Sequence, residues 1–402
     1  MKDKFVYLFG PGRAEGSAKM KALLGGKGAN LHEMTRLGIP VPPGLTIATT
    51  VCVYYMKNHR IPRELKPQVE YGLRFIEKVV GRKFGDPENP LLLSVRSGAP
   101  ASMPGMMDTI LNLGLNRDTL TGLAQNAKNR RFALDAYRRF IQMFADIVLK
   151  TGKEEFERVL AEERERLGVK SDAELDESAL ERIIDRYLKI VSAVTGTDFP
   201  QDPKKQLWLA IEAVLKSWNN PRAQEYRRLY SIPDTWGTAV NIQAMVFGNA
   251  GEDSATGVAF TRDPANGEKK IYGEFLYNAQ GEDIVAGIRT PLPITELKKT
   301  HPQLYNQLEK ILLRLERHYR DMMDVEWTIE REILWILQCR KGKRTPAAAV
   351  KIACDLTKER LITKKAAVLR IEPETAGILL HKSIKPGITY FAAAQGIPAS
   401  PG

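Results

Sequence analysis

Two short segments hold the residue types best suited to phosphate chemistry. Asp324-Val325-Glu326-Trp327-Thr328-Ile329 and Leu334-Trp335-Ile336-Leu337-Gln338-Cys339-Arg340 both alternate polar and apolar residues with period two, the pattern of half-buried strands. Glu330 to Ile333 between them suit a tight antiparallel hairpin. Asp324 and Glu326 then share one strand face, and Gln338 and Arg340 share one face of the partner strand. If the two faces coincide, two carboxylates, an amide and a guanidinium converge. Carboxylates hold magnesium and arginine grips phosphate oxygens in bidentate fashion, so the set suits a nucleoside triphosphate with its metal. Glu326 is the leading metal-ligand candidate, with Asp324 and Gln338 beside it. The alternative is a solvated strand face on which Glu326 and Arg340 attract each other.

Two further segments could meet the same phosphates. Gly25-Gly26-Lys27-Gly28 opens a helix; glycines let a backbone approach an anion, and Lys27 adds a point charge. No Ser or Thr follows the lysine as a P-loop requires, and taken alone the segment reads more readily as a plain turn before a helix than as a phosphate site. Arg96 closes the apolar run Pro90–Val95 and opens a stretch, Ser97 to Thr109, too rich in Gly, Pro and Ser for regular structure. It can face phosphate or pair with a nearby carboxylate. The stretch after it reads as a mobile lid that would exclude water. Asp283 could add a carboxylate, although an isolated loop acid is more often a cap or turn residue. His32, His59, His301, His318 and His381 stand singly, and none sits in a small-residue loop suited to accepting a phosphoryl group; each reads as a surface or packing residue.

These residues need a scaffold of more than one core, and 402 residues supply two to four structural units. Hydrophobic residues make 43% and charged residues 27% of the chain, a globular balance. No apolar run reaches membrane-span length and the N-terminus has no signal-peptide core, so the chain is expected in the cytoplasm. Cys52, Cys339 and Cys354 form no metal or redox motif and are expected to be buried or inert. The net charge of +12 is interspersed with glutamate and shows no basic stripe with interleaved aromatics, which argues against nucleic acid. Residues 1 to 111 read as mixed strand and helix, with a strand Phe5 to Phe9 and a helix from about Gly28 stopped by Gly38 and Pro40. From about 117 to 230 the pattern turns helical, with stripes such as Tyr137, Phe140, Ile141, Phe144 and Ile183, Ile184, Tyr187, Val191. Strand patterns return between 236 and 340, interrupted by a helix from about Pro302 to Met323, and helices Pro346 to Leu356 and Thr363 to Val368 follow. Gln395 to Gly402 resembles a linker.

Several segments together resemble the pyruvate phosphate dikinase family: Leu24-Gly25-Gly26-Lys27-Gly28-Ala29-Asn30-Leu31, Ser94-Val95-Arg96-Ser97-Gly98-Ala99, Ser102-Met103-Pro104-Gly105-Met106-Met107-Asp108-Thr109, Trp236 to Asn241, Gly257 to Arg262, Asn278 to Asp283, and Leu337-Gln338-Cys339-Arg340. The similarity runs over nearly the whole chain. It implies an α+β, ATP-grasp nucleotide-binding fold with an inserted helical subdomain and a C-terminal linker. Residues 1–116, with about 200–243, would form the first ATP-grasp subdomain. Residues 117–199 would be the helical insert, 244–343 the subdomain carrying the hairpin, and 344–402 a helical extension and linker. By position, Lys27 and Arg96 match phosphate-contacting residues, Glu326 and Gln338 the metal and phosphate end, and Arg340 a catalytic arginine. Gln243, Met245 and Thr256 fall in nucleotide-lining segments. The ligands implied are magnesium, ATP and inorganic phosphate, with a phosphohistidine domain as partner and a homodimer as one option for assembly. The family's Thr-Ser-His acceptor motif and pyruvate-binding barrel are absent from these residues, so the histidine is expected in cis beyond Gly402 or in trans. A stand-alone ATP-grasp phosphotransferase and a non-catalytic ATP-binding module are the alternatives.

Overall fold

Short apolar runs broken by glycine and proline become strands, and long amphipathic stripes become helices, in a computed structural model that describes residues 3–286 and 289–379. The chain separates into two compact units, one of Met1–Ala255, Tyr277–Ile288 and Thr328–Gln338, the other of Thr256–Leu276, Arg289–Trp327 and Cys339–Gly402. The secondary structure is mixed α and β, with antiparallel main sheets. Gln395–Gly402, read as a linker, and His381 lie outside the described residues.

The first unit is built on a six-stranded sheet in the order Arg13–Ala14, Val6–Gly10, Gly44–Ile47, Ala239–Ala244, Leu93–Gly98, Thr109–Leu113. Its register sets Arg96 opposite Asn241 and Ser94 opposite Gln243, and Thr46 opposite Asn241. Alternation therefore gives the sheet two unlike faces. One presents Leu8, Leu45, Ile47, Val95, Val240 and Ile242 to the main core. The other carries Thr46, Ser94, Arg96, Asn241 and Gln243. The helix Lys21–Arg36 lies over this polar face, close enough that a Cβ on Gly28 would come within 2.7 Å of the Asn241 side chain.

Helices Arg117–Ala127, Arg130–Ile147, Glu154–Leu167 and Glu177–Thr195 follow. The first and last of these start at side chains that accept orphaned backbone N–H groups, Asn116 from Thr119 at 2.8 Å and Asp176 from Ala179 at 2.7 Å. Tyr137, Phe140, Ile141, Phe144, Ile183, Ile184, Tyr187 and Val191 are all buried, so the periodicity seen in the sequence is the packed stripe.

A second sheet has five strands in the order Leu292–Pro293, Tyr272–Tyr277, Ala255–Phe260, Met323–Glu330, Ile333–Lys341. Helix Pro346–Lys358 closes a small core around Met322, Ile352 and Leu356. Arg262, fully buried, donates to Glu316 at 2.8 and 3.1 Å and to Glu359 at 2.9 Å.

Two helix bounds are refined and the cysteines are placed. The helical run Lys21–Arg36 is broken at Gly25 (φ +67°), so its long part follows Gly25, near the expected start at about Gly28, and a short turn from Lys21 precedes it. Helix Pro302–Tyr319 ends before Met323, since Arg320 turns left-handed (φ +54°) and releases the chain into the next strand. Cys52 and Cys339 are buried, but Cys354 is exposed on helix Pro346–Lys358. No described helix is long and apolar enough to cross a membrane.

Candidate functional site

In the first unit, Lys27 and Arg96 are brought to one end of the sheet by a backbone seam. Gly26 N donates to Ala99 O at 2.8 Å. A Cβ on Gly25 would lie 1.7 Å from Gly98 O, and one on Gly98 would lie 2.6 Å from the Asn241 amide nitrogen and 3.4 Å from Lys27 Cβ. Only glycine permits that approach, and Gly25 also needs its positive φ. Lys27 is half-buried at the seam. Arg96 extends from the adjoining strand over the polar face. It donates to the side-chain oxygen of Gln243 and, at 3.4 Å, to Leu337 O. Both acceptors are neutral. Gln243 is held in turn by donating to Pro42 O at 2.9 Å, which explains a glutamine only 1% exposed inside a sheet. Met245 follows it, half-buried, its N–H bonded to Leu92 O at 2.9 Å.

The hairpin forms as its alternation predicts, over Met323–Glu330 and Ile333–Lys341. Its turn places Arg331 and Glu332 at φ +49° and +63°, the two positive angles of a tight primed turn. In the second unit, Arg340 Nε donates to Asp324 Oδ2 at 2.7 Å. The hairpin thus pairs Arg340 with Asp324, whereas the sequence suggested Glu326 as its attraction. Burial, helped by the neighbouring Glu326 charge, pushes the Asp324 carboxyl above its ordinary value even though Arg340 pulls it down. Asp324, Glu326 and Arg340 therefore share one electrostatic neighbourhood. Gln338, half-buried, lies two residues before Arg340 on the same strand and is assigned to the first unit.

Thr256 is buried and its hydroxyl donates to Trp327 O at 3.3 Å. Asp283 does the two jobs of a cap. It accepts from Gln280 N at 2.8 Å, at the start of helix Gly281–Ala286, and pairs with Arg139 at 2.9 Å. The stretch Ala99–Asp108 forms turns without helix or strand. It is anchored by buried Met103 and turns at Gly105 (φ +68°).

Sequence reasoning passed over Asn241, Thr46 and Arg139. Thr46 donates to Asn241 at 2.9 Å, and this pair sits beneath the lysine-bearing helix. A run of buried polar residues on alternate positions of Ala239–Ala244 was the available signal.

Residues 21–71, 60–305 and 294–361 match the family described as "Pyruvate phosphate dikinase, AMP/ATP-binding domain". The chain belongs to this family. It is 56% identical to the pyruvate, phosphate dikinase of Rhizobium meliloti, over 99% of this chain and 46% of that protein. It is 51% identical to the Clostridium symbiosum enzyme, over 99% and 46%, and 52% identical to the chloroplastic enzyme 1 of Arabidopsis thaliana, over 100% and 42%. The chain spans less than half the length of these relatives and covers their ATP-binding portion. Among its described residues no group of three or more His, Cys, Asp or Glu is placed to hold a metal ion.

Proposed function

We propose that this chain adopts an ATP-grasp arrangement and binds magnesium ATP. It would carry the nucleotide half-reaction of a pyruvate, phosphate dikinase in the cytoplasm: transfer of a pyrophosphoryl group from ATP to a histidine on a swivelling domain, with release of AMP. The observation that carries the proposal is the Asp324–Glu326–Arg340 cluster on the hairpin, in a chain of the AMP/ATP-binding domain family. Phosphoryl transfer needs positioning and charge stabilisation more than covalent chemistry. Lys27, Arg96 and Arg340 supply three cations of differing reach: a point charge at a helix kink, a guanidinium that donates to Gln243 and Leu337, and a guanidinium oriented by Asp324.

The donor set fits magnesium, which is commonly held by one or two carboxylates plus substrate phosphates and water rather than by an all-protein cage. Glu326 would hold it, with Asp324 and Gln338 in support; bound there, the ion would neutralise charge on the phosphates. The raised Asp324 carboxyl beside Glu326 is the kind of crowding a cation relieves. Gln243, Met245 and Thr256 would line the nucleotide, and Ala99–Asp108 would close over its phosphates. Asp283 would act through Arg139. Residues 117–199 would be the helical insert and 344–402 the extension toward the phosphohistidine domain, met in cis or in trans. Inorganic phosphate would take one phosphoryl group in a later step, and a homodimer would be the assembly.

Titration of the chain with ATP and magnesium, followed by AMP detection with an added histidine domain, tests this. Saturable binding that is lost in the Lys27→Ala, Arg340→Ala double variant, with AMP formed only when the histidine domain is present, is the expected result. Binding unchanged by that double substitution would refute the site. Binding without AMP would reduce the chain to a nucleotide-binding module, and AMP with another acceptor would make it a different phosphotransferase.

A further inference from the structure

The second unit holds another cluster of cations, which the nucleotide reading leaves unused. Asp321 receives Arg344 Nη1 at 2.7 Å, Lys341 Nζ at 3.4 Å and Arg370 Nη1 at 3.8 Å, together with the Met322 N–H at 2.8 Å. Burial works against the Asp321 charge, yet Arg344, Lys341 and Arg370 outweigh it and hold the carboxyl below its ordinary value. One carboxylate therefore faces three cations. All four side chains line a cavity of about 180 Å³, whose wall is otherwise largely apolar, including Ala349 and Ala353 of helix Pro346–Lys358, with Glu372 as the second acid.

Arg344 decides what the cavity asks for. Its side chain is only 10% exposed. Nη1 is spent on Asp321 and Nε on Gly342 O at 3.0 Å, but buried Nη2 has no protein acceptor among the described residues. A buried guanidinium N–H without an acceptor is costly, and the surplus of positive charge around Asp321 asks for an anion rather than a neutral acceptor. The volume is that of roughly six waters. We propose that this cavity binds a small organic anion, a carboxylate or a phosphate monoester. Its head would lie on Arg344 Nη2 and Lys341, and its short apolar part over Ala349 and Ala353. Lys341 directly follows Arg340 in strand Ile333–Lys341, so strand alternation turns its side chain to the other face from the guanidinium held by Asp324.

The test reads the alanine methyls of the 402-residue chain, carrying 13C-methyl alanine, during titration with butyrate and with n-butyl phosphate. Saturable shifts at Ala349 and Ala353 are expected, and the tighter probe tells which head group the site takes. Lys341→Met, at an exposed side chain that leaves the core alone, should weaken the affinity several-fold. Arg344→Gln should weaken it by about tenfold or more, as loss of a charge-assisted hydrogen bond does. Asp321→Asn removes the competing carboxylate and should strengthen it. Absence of saturable shifts with both probes would mean that only solvent serves Arg344, and overturns the proposal. So would shifts that are the same in the wild type and in Lys341→Met.

Discussion

Arg96, inside strand Leu93–Gly98, and Arg262, just past strand Ala255–Phe260, are met by different kinds of group in the two units. Arg262 is fully buried and met by two carboxylates, Glu316 and Glu359. Arg96 donates to an amide and a carbonyl, Gln243 and Leu337. Carboxylates cancel charge, whereas neutral acceptors only fix direction. An arginine locked between carboxylates belongs to the packing of its unit; on the proposed function, Arg96 would turn instead to phosphate. In the second unit, Arg340 lies between these extremes, oriented by Asp324 with Glu326 nearby.

The comparison breaks most readily at Arg262. Arg262→Ala strands Glu316, 3% exposed, and should cost about 3–5 kcal/mol, read as a lower denaturant midpoint for the second unit. Arg262→Met with Glu316→Met should recover most of the loss; recovery of none would show that the carboxylates do more than neutralise.

His32 supplies a third solution, a buried basic group that gives up its charge. Burial pulls its pKa from 6.5 down to about 4, although Glu15 works the other way. Its Nδ1 accepts from Gly16 N at 3.1 Å, which suits the neutral ring. The unfolded imidazole takes its proton at the higher pH, so the stability His32 contributes is full above about pH 6.5. It is lost as the pH falls through about 4, and amounts to about 3 kcal/mol. Denaturation from pH 7 to pH 4 should show that loss in the wild type and less of it in His32→Gln.

Arg96→Gln should leave the unfolding free energy within about 1 kcal/mol of wild type. ATP affinity should fall by about 1.5–3 kcal/mol, the worth of a hydrogen bond to a charged group. Equal losses in both would erase the distinction from Arg262. The smallest effect belongs to the hairpin turn. Glu332→Gly, at φ +63°, should stabilise the chain by about 0.5–1 kcal/mol without changing ATP binding.

The hairpin was legible because its alternation is local: period two on both sides of a four-residue connection needs no knowledge of the rest of the chain. The helical stripes were legible for the same reason. Arg262 was not, because its partners lie 54 and 97 residues away. The Asp324–Arg340 pair was half legible. The strands placed acids and arginine together, but which acid would be taken depends on register. The strand Ala239–Ala244 alternates weakly because both of its faces are covered, so Asn241 and Gln243 are buried as deeply as Ile242. The kink at Gly25 escaped notice because the glycine pair reads as a loop, and only its distant contact with Gly98 reveals a helix on both sides.

That contact has a mechanical consequence. With a carbonyl where a methyl would have to stand, the turn bearing Lys27 and the strand bearing Arg96 are welded at the main chain. The backbones that carry the two cations are thus held together at Gly25 and Gly98, and a rearrangement on ligand capture would begin beyond Ala99.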